Sequence, residues 1–206
     1  MNFKNSVVLI TGASSGIGYQ LAKDLAHEGA QLALLSRRTD ILDSLAAESN
    51  IKTKVIYYKC DVTVKNEVVE TISIIKKDFG KIDIAILNSG VAFRSSVLNY
   101  KSEEAEKTFS TNVLGAVYCI EQLLPEFISE KRGTIIGVSS LGDGKGFPKS
   151  GFYSASKAAL TILLESLRIE LKKYNVKVVT VKPGFIKTAM TDKNEFKMPF
   201  LMSVEE

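Results

Sequence analysis

The stretch that decides the fold is residues 7–18, with the sequence VVLITGASSGIG. Its first five residues are apolar or β-branched and predict a buried strand. The residues after them, Gly12, Ser14, Ser15, Gly16, Ile17 and Gly18, form a glycine-rich turn that opens a helix. Glycine permits a sharp turn and a close approach to a pyrophosphate, and the helix N-terminus supplies free N–H groups. This context predicts a dinucleotide-binding site; the alternative is a plain glycine-rich turn.

The same alternation of strand and helix continues along the chain. Runs rich in Val, Ile and Leu predict strands at Val7–Thr11, Gln31–Ser36, Lys54–Tyr58, Ile82–Leu87, Gly133–Ser139 and Val176–Val181. Helices are predicted at Ile17–Glu28, with a core stripe of Ile17, Leu21 and Leu25, and at Thr39–Glu48, Lys65–Phe79, Glu103–Glu130 and Tyr153–Tyr174. Right-handed crossovers then give a doubly wound, parallel, Rossmann-like α/β sheet with helices on both faces. We expect a single domain over residues 1–206.

The composition excludes several classes of protein. The 206 residues are 45% hydrophobic and 24% charged, with a net charge of +4, which is typical of a globular chain. The positive charges form no block, so we expect no nucleic-acid partner. No apolar run approaches the roughly 18 residues of a membrane span, and the N-terminus is too polar for a signal peptide. We therefore expect a cytoplasmic protein.

Histidine and cysteine are scarce. The only histidine, His27, falls near the end of the first predicted helix, where it interacts favourably with the helix C-terminus. One histidine leaves almost no material for a multi-histidine metal site or a Ser-His-Asp triad, and no metal is predicted. Cys60 and Cys119 lie far apart, have no CxxC spacing, and are predicted to be reduced and structural.

The end of the second predicted strand bears on the choice of cofactor. An NAD-specific site places an acidic residue there, whereas this chain has Ser36, Arg37 and Arg38. Arginine forms paired hydrogen bonds with a phosphate, so the sequence favours NADP(H) over NAD(H). The alternative is that the arginines are merely solvated at the start of a helix.

Asp61 and Val62 follow the third predicted strand and reach the same edge of the sheet. Two interpretations of Asp61 stay open: its carboxylate accepts from an adenine amino group, or it caps the following helix.

Tyr153 and Lys157 are four residues apart at the start of a predicted helix and therefore share one face. A nearby ammonium lowers the pKa of a phenol toward a value useful for acid/base chemistry. The spacing alone is common, but Ser140 at the end of the fifth predicted strand lies at the same sheet edge and can hydrogen-bond a substrate oxygen.

These motifs resemble those of the short-chain dehydrogenase/reductase family, of the classical type, over nearly the whole chain. The matching segments are the turn Thr11–Gly18, Asn88-Ser89-Gly90, Asn112, Ser140, Tyr153 with Lys157, and Pro183-Gly184 with Thr188. Ser89 departs from the family's usual alanine, a small change that we expect to be tolerated.

The resemblance implies hydride transfer between NADP(H) and a carbonyl or alcohol carbon. It implies that Tyr153 is the acid/base, that Ser140 holds the substrate oxygen, that Lys157 binds the nicotinamide ribose and lowers the pKa of Tyr153, and that Asn112 holds a relay water. It further implies cofactor contacts from Asn88, Ser89, Gly90, Pro183, Gly184, Ile186 and Thr188.

The C-terminal region departs from the family's pattern. Family members are longer, and Ser203–Glu206 has the pattern of a helix start, so we expect the family's C-terminal portion to be absent and the lid region 184–206 to be truncated. Residues 196–202 either line an apolar pocket or pack as a connector.

Carbonyl reduction is the leading function, and a noncatalytic dinucleotide-binding regulatory or scaffold protein is the alternative. The substrate stays open among 3-oxoacyl thioesters, steroid-like or sphingoid ketones and small carbonyls; Arg94, Lys145 and Lys149 form either a docking patch or solvated loop charges. The apolar helices 103–130 and 153–174 predict a homodimer or homotetramer.

Overall fold

The computed structural model describes residues 3–38, 53–194 and 196–205. The strands are β1 (Val7–Thr11), β2 (Gln31–Ser36), β3 (Val55–Lys59), β4 (Ile84–Leu87), β5 (Thr134–Val138) and β6 (Lys177–Val181). The helices are α1 (Gly16–His27), α2 (Lys65–Phe79), α3 (Ser102–Phe109), α4 (Gly115–Ser129) and α5 (Gly151–Leu171). Short 3-10 turns cover Leu141–Asp143 and Lys172–Tyr174. The helix predicted at Thr39–Glu48 lies outside the described residues.

The strands form a parallel six-stranded sheet in the order β3-β2-β1-β4-β5-β6. In the register at its centre, Val8 lies between Leu32 of β2 and Ile84 of β4. The order reverses beside β1, and this reversal places a crevice at the carboxyl ends of β1 and β4. The predicted Rossmann-like α/β fold is confirmed.

Two apolar cores cover the sheet, one on each face. Val8 and Ile10 of β1 pack with Ala22 and Leu25 of α1 in one core. Leu9 points to the other face and joins the core formed with α2, α4 and α5. Because successive residues of β1 point to opposite buried faces, the strand is apolar throughout.

The predicted core stripe of α1 is partly wrong. The residues that α1 buries are Gly18, Ala22, Leu25 and Ala26. Leu21 is only partly buried, although it packs against the core, and Ile17 lines the crevice. The small residues bring the helix close to the sheet, which an expectation based on large apolar side chains missed.

The helix predicted at Glu103–Glu130 is also interrupted. A π-helical turn at Ser110–Leu114 separates α3 from α4 and buries Asn112. At Gly115, just after the turn, a Cβ would lie 2.8 Å from Cγ2 of Val62. The remaining boundary differences are small: β4 begins at Ile84 rather than Ile82, and α5 begins at Gly151 and ends at Leu171.

Candidate active site

The crevice is a cleft of about 290 Å³, and its floor is the loop after β1 fastened to the loop after β4. Thr11 Oγ1 accepts hydrogen bonds from the backbone N–H groups of Asn88 at 3.0 Å and Ser89 at 3.1 Å. The Asn88 side-chain amide donates to the carbonyl oxygens of Thr11 and Gly12 at 3.1 and 3.2 Å. Each loop therefore supplies the polar partners of the other.

The glycines of the loop after β1 leave space that the Cβ atom of any other residue would fill. Gly12 and Gly16 have φ angles of +66° and +55°, in the left-handed region that favours glycine. A Cβ at Gly18 would lie 2.4 Å from the carbonyl oxygen of Gly12. The N-cap residue Ser15 makes no side-chain hydrogen bond to α1. The N–H groups at this helix start therefore face the cleft without a side-chain cap, as an anion-binding site requires.

One end of the cleft, here called the arginine end, consists of Ser36, Arg37, Arg38 and Asp61. The buried Ser36 Oγ accepts from the backbone N–H of Arg38 at 3.1 Å, and Arg38 Nη2 lies 3.5 Å from Ser14 Oγ. The Arg37 side chain is 71% exposed, and its Nη1 is 3.9 Å from Asp61 Oδ2. Both guanidinium groups thus stand beside the cleft, and among the residues that the structure describes one weak ion pair links them to a carboxylate.

The capping interpretation of Asp61 is wrong, because α2 has Val64 as its N-cap and no side-chain cap hydrogen bond, and the contact that Asp61 makes lies in the preceding turn. Asp61 Oδ1 accepts from the N–H and the hydroxyl of Thr63 at 2.9 and 2.7 Å, which closes the turn before α2. Its Oδ2 faces Arg37, and the residue lines the cleft. The turn contact therefore leaves one carboxylate oxygen available at the arginine end.

The other end, here called the tyrosine end, consists of Ser140, Tyr153 and Lys157. Tyr153 and Lys157 lie one turn apart on α5, and Lys157 Nζ is 5.8 Å from the centre of the Tyr153 ring. Lys157 is only 3% exposed and donates to the carbonyl oxygen of Val138 at 2.7 Å. Ser140 ends the segment after β5 and lines the cleft together with Tyr153 and Lys157. The structure thus brings the three predicted side chains together.

Burial controls the proton affinities at the tyrosine end. It lowers the pKa of Lys157 to about 8, because the charged ammonium loses solvent. Burial also raises the pKa of Tyr153, while the interaction with Ser140 acts in the opposite direction. The expectation that Lys157 leaves Tyr153 with a lowered pKa is therefore wrong for this structure. The loss of solvent raises the pKa of the phenol by more than the interaction with Ser140 lowers it.

Asn112 lies behind the cleft rather than in its lining. Its Oδ1 accepts from the backbone N–H of Val91 at 2.8 Å, and its Nδ2 donates to the carbonyl oxygen of Val91 at 3.0 Å and to Ser156 Oγ at 2.9 Å. Ser156 in turn donates to the carbonyl oxygen of Tyr153 at 2.7 Å. The π-helical turn is thereby tied to the loop after β4 and to the start of α5.

Most of the predicted site residues line the one cleft. Those that do are Gly12, Ser14, Ser15, Gly16, Ile17, Ser36, Arg37, Arg38, Asp61, Val62, Asn88, Ser89, Gly90, Ser140, Tyr153, Lys157, Pro183, Gly184, Ile186 and Thr188. Gly18 and Asn112 support the lining from behind, through the contacts described above.

Further residues line the cleft that the sequence motifs did not indicate: Leu35, Cys60, Val91, Thr111, Val138, Ser139, Ala189, Met190 and Thr191. Nearly all of them adjoin a predicted residue, so widening each predicted segment by one or two positions would have found them. Cys60 is buried, as expected of a structural cysteine, but it also borders the cleft. None of the described residues in 196–202 lines the cleft; Phe196 instead packs on Phe185 with ring centres 5.9 Å apart.

A search of the described residues for a helix long and apolar enough to cross a membrane finds none.

Known proteins resemble this chain in sequence and in fold. The model of the short chain dehydrogenase family matches residues 6–198. An uncharacterized oxidoreductase of Myxococcus xanthus strain DK1622 is 36% identical over 199 residues, which are 96% of this chain and 79% of that protein. Among solved structures, the NADPH-dependent 3-quinuclidinone reductase of Rhodotorula rubra is 28% identical with a TM-score of 0.90, over 100% of this chain and 82% of that one. NAD+-bound xylitol dehydrogenase is 31% identical with a TM-score of 0.85, over 91% and 73%.

The chain belongs to the short-chain dehydrogenase family, and it is an oxidoreductase of that family. Its cleft fits a nicotinamide dinucleotide for two reasons. Glycine at positions 12 and 16 leaves space that a Cβ atom would occupy. The N–H groups at the start of α1 also have no side-chain cap. A Cβ at Gly16 would lie 3.1 Å from Cγ2 of Thr188, so the first loop also approaches the segment after β6 closely.

Proposed function

We propose that this chain is an NADP(H)-dependent carbonyl reductase that acts through Tyr153. The observation that supports this most directly is the convergence of Ser140, Tyr153 and the buried Lys157 at one end of a cleft whose other end carries two arginines. A bound, reduced nicotinamide supplies a hydride to the carbonyl carbon of the substrate. The residues of the chain supply orientation, a proton and exclusion of water.

The residues that hold the cofactor fall into three groups along the cleft. The N–H groups of the loop at Gly12–Gly16 and of the start of α1 bind the pyrophosphate. The arginine end binds the adenosine, with Asp61 and Val62 beside the adenine. Pro183, Gly184, Ile186 and Thr188 contact the nicotinamide, with Asn88, Ser89 and Gly90 opposite them.

Tyr153 donates the proton that the carbonyl oxygen needs as the carbon accepts hydride. Burial raises its pKa, so the phenol is neutral near pH 7 and carries the proton that reduction consumes. The Ser140 hydroxyl, which lines the cleft beside the phenol, binds the substrate oxygen. Tyr153 is therefore in the protonation state that reduction requires.

Lys157 returns the proton to Tyr153 and binds the nicotinamide ribose. A pKa of about 8 lets this amine gain and lose a proton near neutral pH. A Cβ at Gly90 would lie 3.4 Å from Lys157 Nζ and 3.6 Å from Asn112 Oδ1, so both atoms border the space that glycine leaves free. The relay water implied for Asn112 would bridge from this region to Lys157.

The arginine end favours NADP(H). The residues directly after β2 are basic rather than acidic: Ser36 is followed by Arg37 and Arg38, and the Arg37 side chain is 71% exposed. A 2′-phosphate would receive charge-assisted hydrogen bonds from these guanidinium groups. The two solved relatives described above include both an NADPH-dependent and an NAD+-bound enzyme, so the residues of this chain carry the argument.

The test is the oxidation of NADPH, with NADH in parallel, over a panel of ketones, aldehydes and 3-oxoacyl thioesters. We expect turnover that is faster with NADPH at equal concentration. Tight NADPH binding without turnover of any substrate would contradict the proposal and favour a noncatalytic dinucleotide-binding protein. A preference for NADH would contradict only the role of the arginine end.

We also propose that the protein is a homodimer or homotetramer through the helices predicted at 103–130 and 153–174. Ile162 and Ile169 of α5 are seven residues apart, lie on one face of the helix and are 65% and 72% exposed. A monomeric mass by light scattering at micromolar concentration would contradict this proposal.

A further inference from the structure

A cluster of polar side chains lies directly behind Ser140 and has no part in the chemistry proposed above. Its centre is Asp143, the last residue of the 3-10 turn that begins after Ser140. Asp143 Oδ2 accepts from the Thr161 hydroxyl and from Lys182 Nζ, the latter at 2.9 Å. The same oxygen is 3.3 Å from Ser139 Oγ. One carboxylate thus joins the turn, α5 and the end of β6.

The carboxylate is buried and charged. The Asp143 side chain is only 7% exposed. Burial by itself raises the pKa of a carboxyl group, but hydrogen bonds from Thr161 and Lys182 outweigh it and lower the pKa of Asp143. A buried charge with this many partners restricts the positions of the elements that supply them.

The turn holds Ser140 through its own backbone. The N–H of Asp143 donates to the carbonyl oxygen of Ser140 at 3.1 Å, and the N–H of Gly142 donates to Ser140 Oγ at 3.0 Å. The N–H of Leu141 donates to the carbonyl oxygen of Pro183 at 3.0 Å. The position of the Ser140 hydroxyl therefore depends on where the turn is anchored.

The anchor on α5 shares a face with the tyrosine end. Thr161 follows Lys157 by one helical turn, as Lys157 follows Tyr153, so the three side chains lie in a row. Ser139 Oγ reinforces the row, because it donates to the carbonyl oxygen of Lys157 at 3.1 Å and lies 2.7 Å from Thr161 Oγ1. The contact between Asp143 and Thr161 therefore ties the segment of Ser140 to the helix of Tyr153.

We propose that Asp143, held by Thr161 and Lys182, is a positioning residue that sets the Ser140 hydroxyl against the Tyr153 phenol. The proposal rests on the proposed function, because it concerns the geometry of that proton transfer. It assigns Asp143 no contact with the substrate or the cofactor. Lys182 extends the same anchor to Pro183, which borders the cleft, so one carboxylate orients both sides of the tyrosine end.

A double-mutant cycle distinguishes positioning from general stabilisation. The variants are Asp143→Asn, Ser140→Ala and their combination, compared with the unchanged protein. If Asp143 acts through Ser140, Asp143→Asn lowers kcat by about tenfold alone but by less than about twofold when Ser140 is already alanine. Equal factors in the two backgrounds would overturn the proposal. The Kd for NADPH, measured by its fluorescence, is expected to change by less than about threefold in Asp143→Asn.

Hydrogen exchange supplies a readout that needs no turnover. In Asp143→Asn, the backbone amides of the turn, from Leu141 to the substituted position, are expected to exchange faster, with the peptides of β1 unchanged. The matched control is Asp83→Asn at the opposite end of the sheet, where the carboxylate accepts from the N–H of Val7 at 2.9 Å and pairs with Arg132 at 3.1 Å. This control is expected to affect exchange near β1 and to leave kcat unchanged.

Thr161→Val is a second variant for the case that Asp143→Asn fails to fold. It removes one hydrogen-bond donor to Asp143 and conserves the shape of the side chain. It is expected to give the same effects as Asp143→Asn, only weaker. Unchanged exchange of the turn in both variants would overturn the proposal. Absence of turnover in the unchanged protein would instead contradict the proposed function, and the exchange comparison would still decide whether Asp143 anchors the turn.

Discussion

The arginine end and the tyrosine end of the cleft hold similar numbers of polar side chains in very different surroundings. At the arginine end, the Arg37 side chain is 71% exposed and its contact with the Asp61 carboxylate is 3.9 Å long. At the tyrosine end, Lys157 is 3% exposed and its ammonium lies 2.7 Å from a carbonyl oxygen. Solvent screens the charges of the first end, whereas the second end has lost its solvent.

The difference indicates what each end can contribute. An exposed guanidinium gives affinity and selectivity for a phosphate but undergoes no useful change of protonation. A buried amine or phenol has a shifted pKa and can transfer a proton. We therefore expect substitutions at the tyrosine end to alter kcat and substitutions at the arginine end to alter the choice of cofactor.

The largest expected effect is at the tyrosine end, in Tyr153→Phe. Removing the phenolic hydroxyl removes the proposed proton donor, so kcat is expected to fall by about 10²–10⁴-fold. NADPH binding, measured by fluorescence, is expected to persist because the ring remains in place. The control is Tyr100→Phe, which removes the hydroxyl of a 68% exposed tyrosine and is expected to leave kcat unchanged. Full activity of Tyr153→Phe would refute the role given to Tyr153.

The second effect is at the arginine end, in the double variant Arg37→Ala, Arg38→Ala. Loss of two charge-assisted contacts is expected to lower kcat/KM for NADPH by about 10–100-fold while the value for NADH changes by less than about twofold. The selectivity of the unchanged protein is expected to fall with added salt, because Arg37 is exposed.

A matched control removes the same charge far from the cleft. Lys172→Ala with Lys173→Ala acts at the turn after α5, where both side chains are exposed, and is expected to leave both cofactors unaffected. If the arginine variant lost NADPH and NADH activity equally, its effect would lie in folding rather than in recognition of the phosphate.

The sequence predicted the sheet and the members of the cleft for one physical reason. Parallel strands bring their carboxyl ends to one edge of the sheet. The residues that follow β1, β2, β4 and β5 therefore lie close together whatever conformation the connecting loops adopt. The interrupted helix around Asn112 was not predicted. The spacing of its apolar residues fits a continuous α-helix equally well. The extra residue of the π-helical turn changes the direction in which Asn112 points, and only the structure reveals that direction.

Asp143 and the pKa of Tyr153 were missed for a related reason. The segment LGDGKG around Asp143 has the composition of an exposed turn, and its partners Thr161 and Lys182 come from distant parts of the chain. The spacing of Tyr153 and Lys157 predicts their proximity but not how much solvent each loses. Burial is a property of the packed molecule, and it decides the sign of the shift in the pKa of Tyr153.

The smallest expected effect tests the burial of Lys157 through the pH dependence of stability. Its pKa falls from the usual value of 10.5 to about 8 on folding, so between these values the unfolded chain holds a proton that the folded protein lacks. The free energy of unfolding must therefore rise with pH between about 8 and 10.5. The stability that comes with the deprotonation of Lys157 is lost as the pH falls through about 8.

The measurement is Tm between about pH 7 and pH 9.5 for the unchanged protein and for Lys157→Met, a comparison that cancels groups common to both. The unchanged protein is expected to gain stability relative to the variant as the pH rises. Lys173→Met, which removes an exposed lysine, is expected to run parallel to the unchanged protein. If the curve of Lys157→Met also ran parallel to that of the unchanged protein, the Lys157 ammonium would still be solvated in the folded protein. The contrast between the two ends would then rest on geometry alone, and Lys157 would lose its proposed place in the proton path.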